Sequence, residues 1–234
     1  MLSSRLNHHD VRAGTPGESF AAEPSRAVYQ ATLSAMAAIV ETRDPAAGDH
    51  LGRIRAYCRI ITRHLDRRPR VGRPLSNREA ETVVEASTLH DIGKATIPDA
   101  ILLKPGPLNR TEFTCMKRHA LAGFRTLTNA MRQVGRHPFL VTARQIACFH
   151  HERWDGGGYP TGISGERIPL AARIVAVADV FDALVSRRCY KAPIPVCEAR
   201  AIIRRDAGRH FDSVVVDAFE RGAEEIEAVA GGIG

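Results

Sequence analysis

Apolar residues in this chain recur at the three- and four-residue spacing of helices, and no stretch sustains the alternation of a strand. That pattern alone restricts the chain to an all-α fold, with proline and glycine setting the helix limits. Val28, Leu33, Met36, Ile39 and Val40 mark a helix over 27–42, which Asp44-Pro45 ends because proline disfavours helical geometry in the residue before it. A second helix is predicted from Asp49 to Leu65. Ser76 and Glu79 have the spacing of a capping box and open a third, Asn77 to Leu89. Asp99 is expected to cap a short turn ahead of the breaker Lys104-Pro-Gly-Pro107, and Thr111 to start a helix through Leu127. Further helices are predicted near 139–150, 169–186, 195–206 and 213–229, with a Gly/Pro-dense loop from Asp155 to Pro169. Residues 1–24 are polar and aperiodic and are read as a flexible lead-in. Residues 25–234 are read as one domain with its core at about 41–220.

With 44% hydrophobic residues in 234, the chain has ample material for a core. Its densest apolar run, Ile174 to Ala178, is bounded by Arg173 and Asp179, far short of the roughly 18 residues of a membrane span. The N-terminus has no apolar signal segment, so a cytoplasmic protein is expected. Cysteines 58, 115, 148, 189 and 197 form no C-x-x-C pair and read as free thiols. The net charge of +7 suits an acidic partner. Much of the excess, however, lies in Arg53, Arg55, Arg59 and Arg63, opposite Ile54, Cys58 and Ile61, as on the wet face of an amphipathic helix. A single aromatic, Tyr57, falls among these arginines, too few for a stacking platform, which argues against nucleic acid as a partner.

The chemistry gathers in a few places. His90 and Asp91 offer nitrogen and oxygen ligands to one metal, and the second oxygen of Asp91 can bridge to another. Lys94 lies four residues after His90, where it can face the same cavity and a phosphate oxygen. The same residues would also suit a plain helix C-terminus. The run from His150 to Pro160 is more specific: His150 and His151 would point about 100° apart on one helix, and so serve two metals more easily than one. His119 stands on a basic helix, where a lone histidine is more often structural. Asp179 interrupts an apolar helix, and an unpaired buried carboxylate is costly unless a cation offsets it.

Taken together, HDIGK, IPDAILLKPGPLNRTEF, HHERWDGGGYP, IPLAARIVAVADVFDAL and RRCYK resemble the HD-GYP branch of the HD phosphohydrolase superfamily, in the right order from about Glu41 to Asp212. The resemblance implies a multi-helix HD-type domain with a Gly/Pro-rich GYP loop that hydrolyses cyclic di-GMP, a bacterial second messenger, to linear pGpG and onward to GMP. A minority of the family prefers cyclic GMP-AMP. Carried over by position, the metal ligands would be His50, His90, Asp91, His119, His150, His151 and Asp179. Lys94 would contact the scissile phosphate, Tyr159 would lie on the loop near the substrate, and Arg188 and Lys191 would bind its phosphate and guanine region. The usual Gly-His-Ser reads Asp49-His50-Leu51 here, and Cys189 replaces a proline in the RPYK-like segment. Some members carry a glutamate four residues before the His50 position that helps hold a third metal. Ala46 stands there, so two divalent transition-metal ions are expected, Fe or Mn foremost and Zn or Ni compatible.

Residues 1–24 leave no room for the receiver or sensor usual in the family, so a regulatory front end is not expected. A cyclic dinucleotide is the expected partner, with a homodimer or a signalling protein as further partners; helix 27–42, apolar on one face, is read as packing on its own domain in preference to pairing with its copy. A different nucleotide substrate, a non-hydrolytic regulatory module and a nuclease are the competing readings.

Overall fold

The computed structural model describes residues 32, 35–40, 49–65, 75–186 and 192–232. Among these there are helices, one isolated bridge between Ala207 and Phe211, and no strand. We label the helices α1 (His50–His64), α2 (Asn77–Ala86), α3 (Asp99–Leu102), α4 (Arg110–Met116), α5 (Arg118–Val134), α6 (Pro138–Phe149), α7 (Leu170–Val185), α8 (Val196–Arg205), α9 (Ser213–Arg221) and α10 (Ala223–Gly231). Short 3-10 stretches occupy Ser87–Leu89, Ile92–Thr96 and Gly165–Arg167. The expected all-α fold is borne out. The lead-in 1–24 lies outside the described residues, as do Ala46, Arg188, Cys189 and Lys191. Residues 35–40 of the first expected helix are helical; Ala37 joins the core while Met36 and Ile39 face solvent.

The core is built around α1 and α7. The predicted apolar positions of α1, Ile54, Cys58 and Ile61, are buried together with Tyr57 and Ile60, and the helix packs on α2, α7, α9 and α10. α7 is apolar around most of its circumference, as a helix covered on nearly all sides must be. Phe181 from α7 meets Tyr57 and Phe219 edge-on, with ring centres 5.2 and 5.1 Å apart. These side chains are fully buried, and truncating such a phenylalanine costs about 3–5 kcal/mol.

Several helix limits differ from the sequence reading. α2 ends at Ala86 and tightens into a 3-10 turn, so His90 and Asp91 lie beyond it. The helix expected over 111–127 begins one residue earlier, under a capping box of Asn109 and Glu112, and is divided at Lys117 into α4 and α5, the latter reaching Val134. The helix expected over 213–229 is divided at Gly222, where a side chain would collide with Ile60 of α1. Pro98, not Asp99, precedes α3, and no side chain caps it. The arginine face of α1 is also only partly wet. Arg59 and Arg63 are exposed, whereas Arg53 is half-buried and turned inward.

Candidate metal centre

The 3-10 turn after α2 brings His90 and Asp91 against the start of α5 and the end of α6. Gly93 makes that approach possible: a Cβ there would overlap the carbonyl oxygen of His119 and lie 2.6 Å from Gly123 N. The resulting cluster draws on α1 (His50), the HD turn (His90, Asp91), α5 (His119), the end of α6 (His150, His151) and α7 (Asp179). These seven residues divide into two groups able to hold a metal: Asp91, His119, His150 and His151 form one, and His50, His90 and Asp179 the other.

Asp91 lies between them. Its Oδ1 is 3.2 Å from His119 Nε2 and 3.8 Å from His150 Nε2, while its Oδ2 is 3.3 Å from His90 Nε2. In the second group, His50 Nε2 lies 3.5 Å from His90 Nε2 and 3.9 Å from Asp179 Oδ1. The tautomers are set from behind. Nδ1 of His90, His119 and His150 donates to the carbonyl oxygens of Ser87, Met116 and Ile146 at 2.9, 2.7 and 2.9 Å, leaving Nε2 of each for the cluster. Asp91 Oδ1, His119 Nε2 and His150 Nε2 are buried without a hydrogen-bond partner among the described residues. Three orphaned ligand atoms on one point are costly unless something binds them, and imidazole with carboxylate is a transition-metal donor set. The residues present therefore fit a metal.

The electrostatics agree. Burial lowers the His151 imidazole to about 3 and holds His150 well below its ordinary value, each helped by neighbouring histidines, so both are neutral ligands. His119 is lowered by burial as well. Burial alone would raise the Asp91 carboxyl, but Lys94 and His90 outweigh it and hold it well below the carboxylate range. Burial also opposes charge on His90, yet Asp91 prevails and the imidazole is raised to about 9.

Residues 34–215 match the sequence model of the HD domain family. The chain belongs to that family. This HD domain is 47% identical over 193 residues to a probable cyclic di-GMP phosphodiesterase of Vibrio cholerae, covering 82% of this chain and 44% of the relative. It is 42% identical over 200 residues to the cyclic di-GMP phosphodiesterase response regulator RpfG of Xanthomonas campestris, covering 86% and 50%. It is also 38% identical over 194 residues to a 3'3'-cGAMP-specific phosphodiesterase of V. cholerae, covering 83% and 35%. The chain thus spans half or less of the length of these relatives. Among solved structures, a cyclic GMP-AMP phosphodiesterase of V. cholerae shares the fold, with a TM-score of 0.56 at 19% identity over 82% of this chain and 48% of that one. The expected HD-GYP type is borne out by these relatives.

Lys94 reaches the centre of the HD domain by a different route from the one expected. The helix has ended, and the 3-10 turn lays the lysine back over the HD pair, with Nζ 2.7 Å from Asp91 Oδ2 and the side chain partly exposed. His150 and His151 are likewise not split between two metals. Both fall in the Asp91 group: α6 ends at Phe149, so His150 is its cap and His151 lies in the turn beyond, where the 100° helical rotation no longer holds. Tyr159 packs beside His151, with ring centres 4.7 Å apart. No described helix is long and apolar enough to cross a membrane.

Two supporting carboxylates had no role in the sequence reading. Asp182, buried on α7, accepts from His50 Nδ1 at 2.7 Å, from Arg53 Nε at 2.6 Å and Nη2 at 3.0 Å, and from Ser186 Oγ at 3.2 Å. Its position one turn after Asp179 was the available signal. Glu152, buried at the root of the glycine loop, accepts from Thr161 N and Oγ1, both at 2.7 Å, and from Gly162 N at 3.1 Å. The loop folds back so tightly that a Cβ on Gly158 would sit 2.5 Å from Glu152 Cα. These contacts fix Tyr159 beside the histidines.

Proposed function

We propose that this HD domain is a dinuclear metal phosphodiesterase that opens cyclic di-GMP to linear pGpG, with GMP as the further product. The observation that carries this reading is Asp91, whose Oδ1 lies 3.2 Å from His119 Nε2 in its own ligand group and whose Oδ2 lies 3.3 Å from His90 Nε2 in the other, with a lysine alongside. His119, His150, His151 and Asp91 would hold one ion and His50, His90, Asp179 and Asp91 the other, two Fe or Mn ions being preferred and Zn or Ni compatible. Ions held there would supply an activated water and neutralise charge developing on the phosphoryl oxygens. Hydrolysis adds that water at one phosphorus and breaks one ester bond to ribose. Lys94 Nζ, partly exposed and 2.7 Å from Asp91 Oδ2, is placed to donate to a phosphate oxygen, and stabilises it as charge grows. Asp182 orients His50, and Glu152 holds the Tyr159 loop that walls one side. Arg188 and Lys191 are proposed to bind phosphate and guanine.

The relatives' names support the substrate class. The cyclic GMP-AMP phosphodiesterases among them favour cyclic GMP-AMP as the second reading. A signalling-protein partner or a homodimer is part of the proposal, since one relative is a response regulator. So is a cytoplasmic location, in keeping with free thiols at Cys58, Cys115, Cys148 and Cys197. The test is chromatography of products from protein loaded with Fe(II) or Mn(II). Linear pGpG from cyclic di-GMP supports the reading. Turnover of cyclic GMP-AMP alone selects the second, and no turnover of either overturns both.

A further inference from the structure

Phe113 is 45% exposed, although it belongs to an ordered cluster that leads into the metal centre. Its ring lies edge-on to Tyr159, with centres 6.3 Å apart and planes at 83°. Tyr159 in turn lies 4.7 Å from His151 and 6.5 Å from His119. The Lys117 ammonium stands 4.9 Å from the centre of the Phe113 ring and 5.4 Å from that of Tyr159, within cation–π range of both. The helix that presents Phe113 is pinned at its start. Asn109 and Glu112 cap it reciprocally, and Glu112 also accepts from Lys104 Nζ at 2.7 Å. The core aromatics Phe181 and Phe219 are by contrast at 0% exposure, and Phe124 and Phe149 are half-buried. Phe113 is instead held in place and left open to solvent, one ring beyond the histidines.

We propose that Phe113 is a base-stacking platform, on whose exposed surface a purine of the cyclic dinucleotide lies while a phosphate rests at Lys94 and Asp91. Lys117 is a positioning residue: its charge holds both rings and leaves the rim electropositive toward an anionic ligand. The inference rests on the phosphodiesterase reading and adds to it a subsite for the base. Stacking of a base on an aromatic ring is worth about 1–3 kcal/mol, so removal of the ring should weaken substrate binding roughly 5- to 150-fold. Because the contact from Phe113 toward the centre runs through Tyr159, the chemical step should hardly change.

The test uses the full chain loaded with Mn(II), cyclic di-GMP as substrate, and three variants: Phe113→Ala, Phe113→Leu and Phe113→Trp. Leucine retains apolar bulk without a stacking face, and tryptophan enlarges that face. The expected result is a KM raised about 5- to 150-fold in the alanine and leucine variants. Their kcat should stay within about threefold and their metal content match the wild type, with KM near wild type for tryptophan. A wild-type KM in the leucine variant, or a loss confined to kcat or metal content, would overturn the platform while leaving the phosphodiesterase reading intact. A metal-loaded wild type that turns over no cyclic dinucleotide would overturn both, so the two failures are distinguishable.

Discussion

Asp182 is the most informative residue to change, because it touches the proposed ligand His50 without facing the reacting groups. It sits almost wholly buried on α7, and four donor atoms from three residues point at its two oxygens. Burial alone would raise its carboxyl, yet the hydrogen bonds from His50 and Arg53 hold it below its ordinary value, so it is an anion among donors. Asp182→Asn keeps the shape and removes that balance. With the amide oxygen toward His50, Arg53 Nη2 and Ser186, the NH2 must face Arg53 Nε. Turned the other way, it faces the remaining three donors. Either orientation sets donor against donor.

Asp182→Ala goes further and leaves the guanidinium of Arg53 half-buried without its carboxylate. Removing one partner of a buried pair costs about 3–5 kcal/mol, and Arg53 is 14% exposed at its side chain, near that regime. For a domain of this size that corresponds to a fall in Tm of roughly 6–20 °C. Loss of the group that orients a metal-binding histidine should also cost about 10- to 100-fold in affinity. The penalty should fall on the ion of the His50–His90–Asp179 group, so the asparagine variant should retain about one ion while the wild type holds two. Mn(II) titration with elemental analysis, alongside thermal melting, reads both effects. Two ions bound with wild-type affinity, together with an unchanged Tm, would refute this role for Asp182.

Three further outcomes follow from the same geometry. His90 is raised to about 9, so near pH 7.5 it carries a proton on Nε2 that a metal must displace. Calorimetry of Mn(II) loading in buffers of different ionisation enthalpy should show release of about one proton, and release near zero would contradict it. Before loading, the raised value also contributes stability that is fully present below the unfolded value of about 6.5 and is lost as pH rises through about 9. The loss is roughly 3 kcal/mol, measurable by urea unfolding of chelator-treated protein; stability flat across that window would argue against it. Lys94→Ala should keep its metal and lose about 10²- to 10³-fold in kcat, and unchanged kinetics would remove Lys94 from the mechanism. Gly93→Ala should push the HD turn away from α5 and deplete metal even if the protein folds, since the backbone of His119 and Gly123 cannot yield as a side chain would. A variant with full metal content would show that the approach is not tight.

The fold was legible in the sequence where helices are bounded by chemistry that acts locally. The Ser76–Glu79 capping box is present as expected, and α1, α6, α7 and α8 fall within two residues of their predicted limits. The break at Gly222 is not visible in the sequence, because it is marked by a tertiary contact: Gly222 lies against Ile60, far away in sequence. The same holds for the site. Ligand residues carried over from the family motifs converge in space, but the support around them does not show in a linear reading. Arg53 fits the polar face of a helix by spacing, and only the proximity of α7, 129 positions on, turns it toward Asp182. Helical geometry misjudged the His150–His151 pair, which lies just beyond a helix end, whereas Lys94 faces the cavity as expected but from a 3-10 turn.

The most direct test of the central claim, that Asp91 joins two metal sites into one hydrolytic centre, is elemental analysis and cyclic di-GMP turnover on the same samples of wild type and Asp91→Ala. After Fe(II) or Mn(II) reconstitution the wild type should hold about two ions per chain and yield linear pGpG, while the variant should hold neither ion firmly and yield no product. A variant that keeps both ions and full turnover, or a wild type that takes up no metal, would contradict the account.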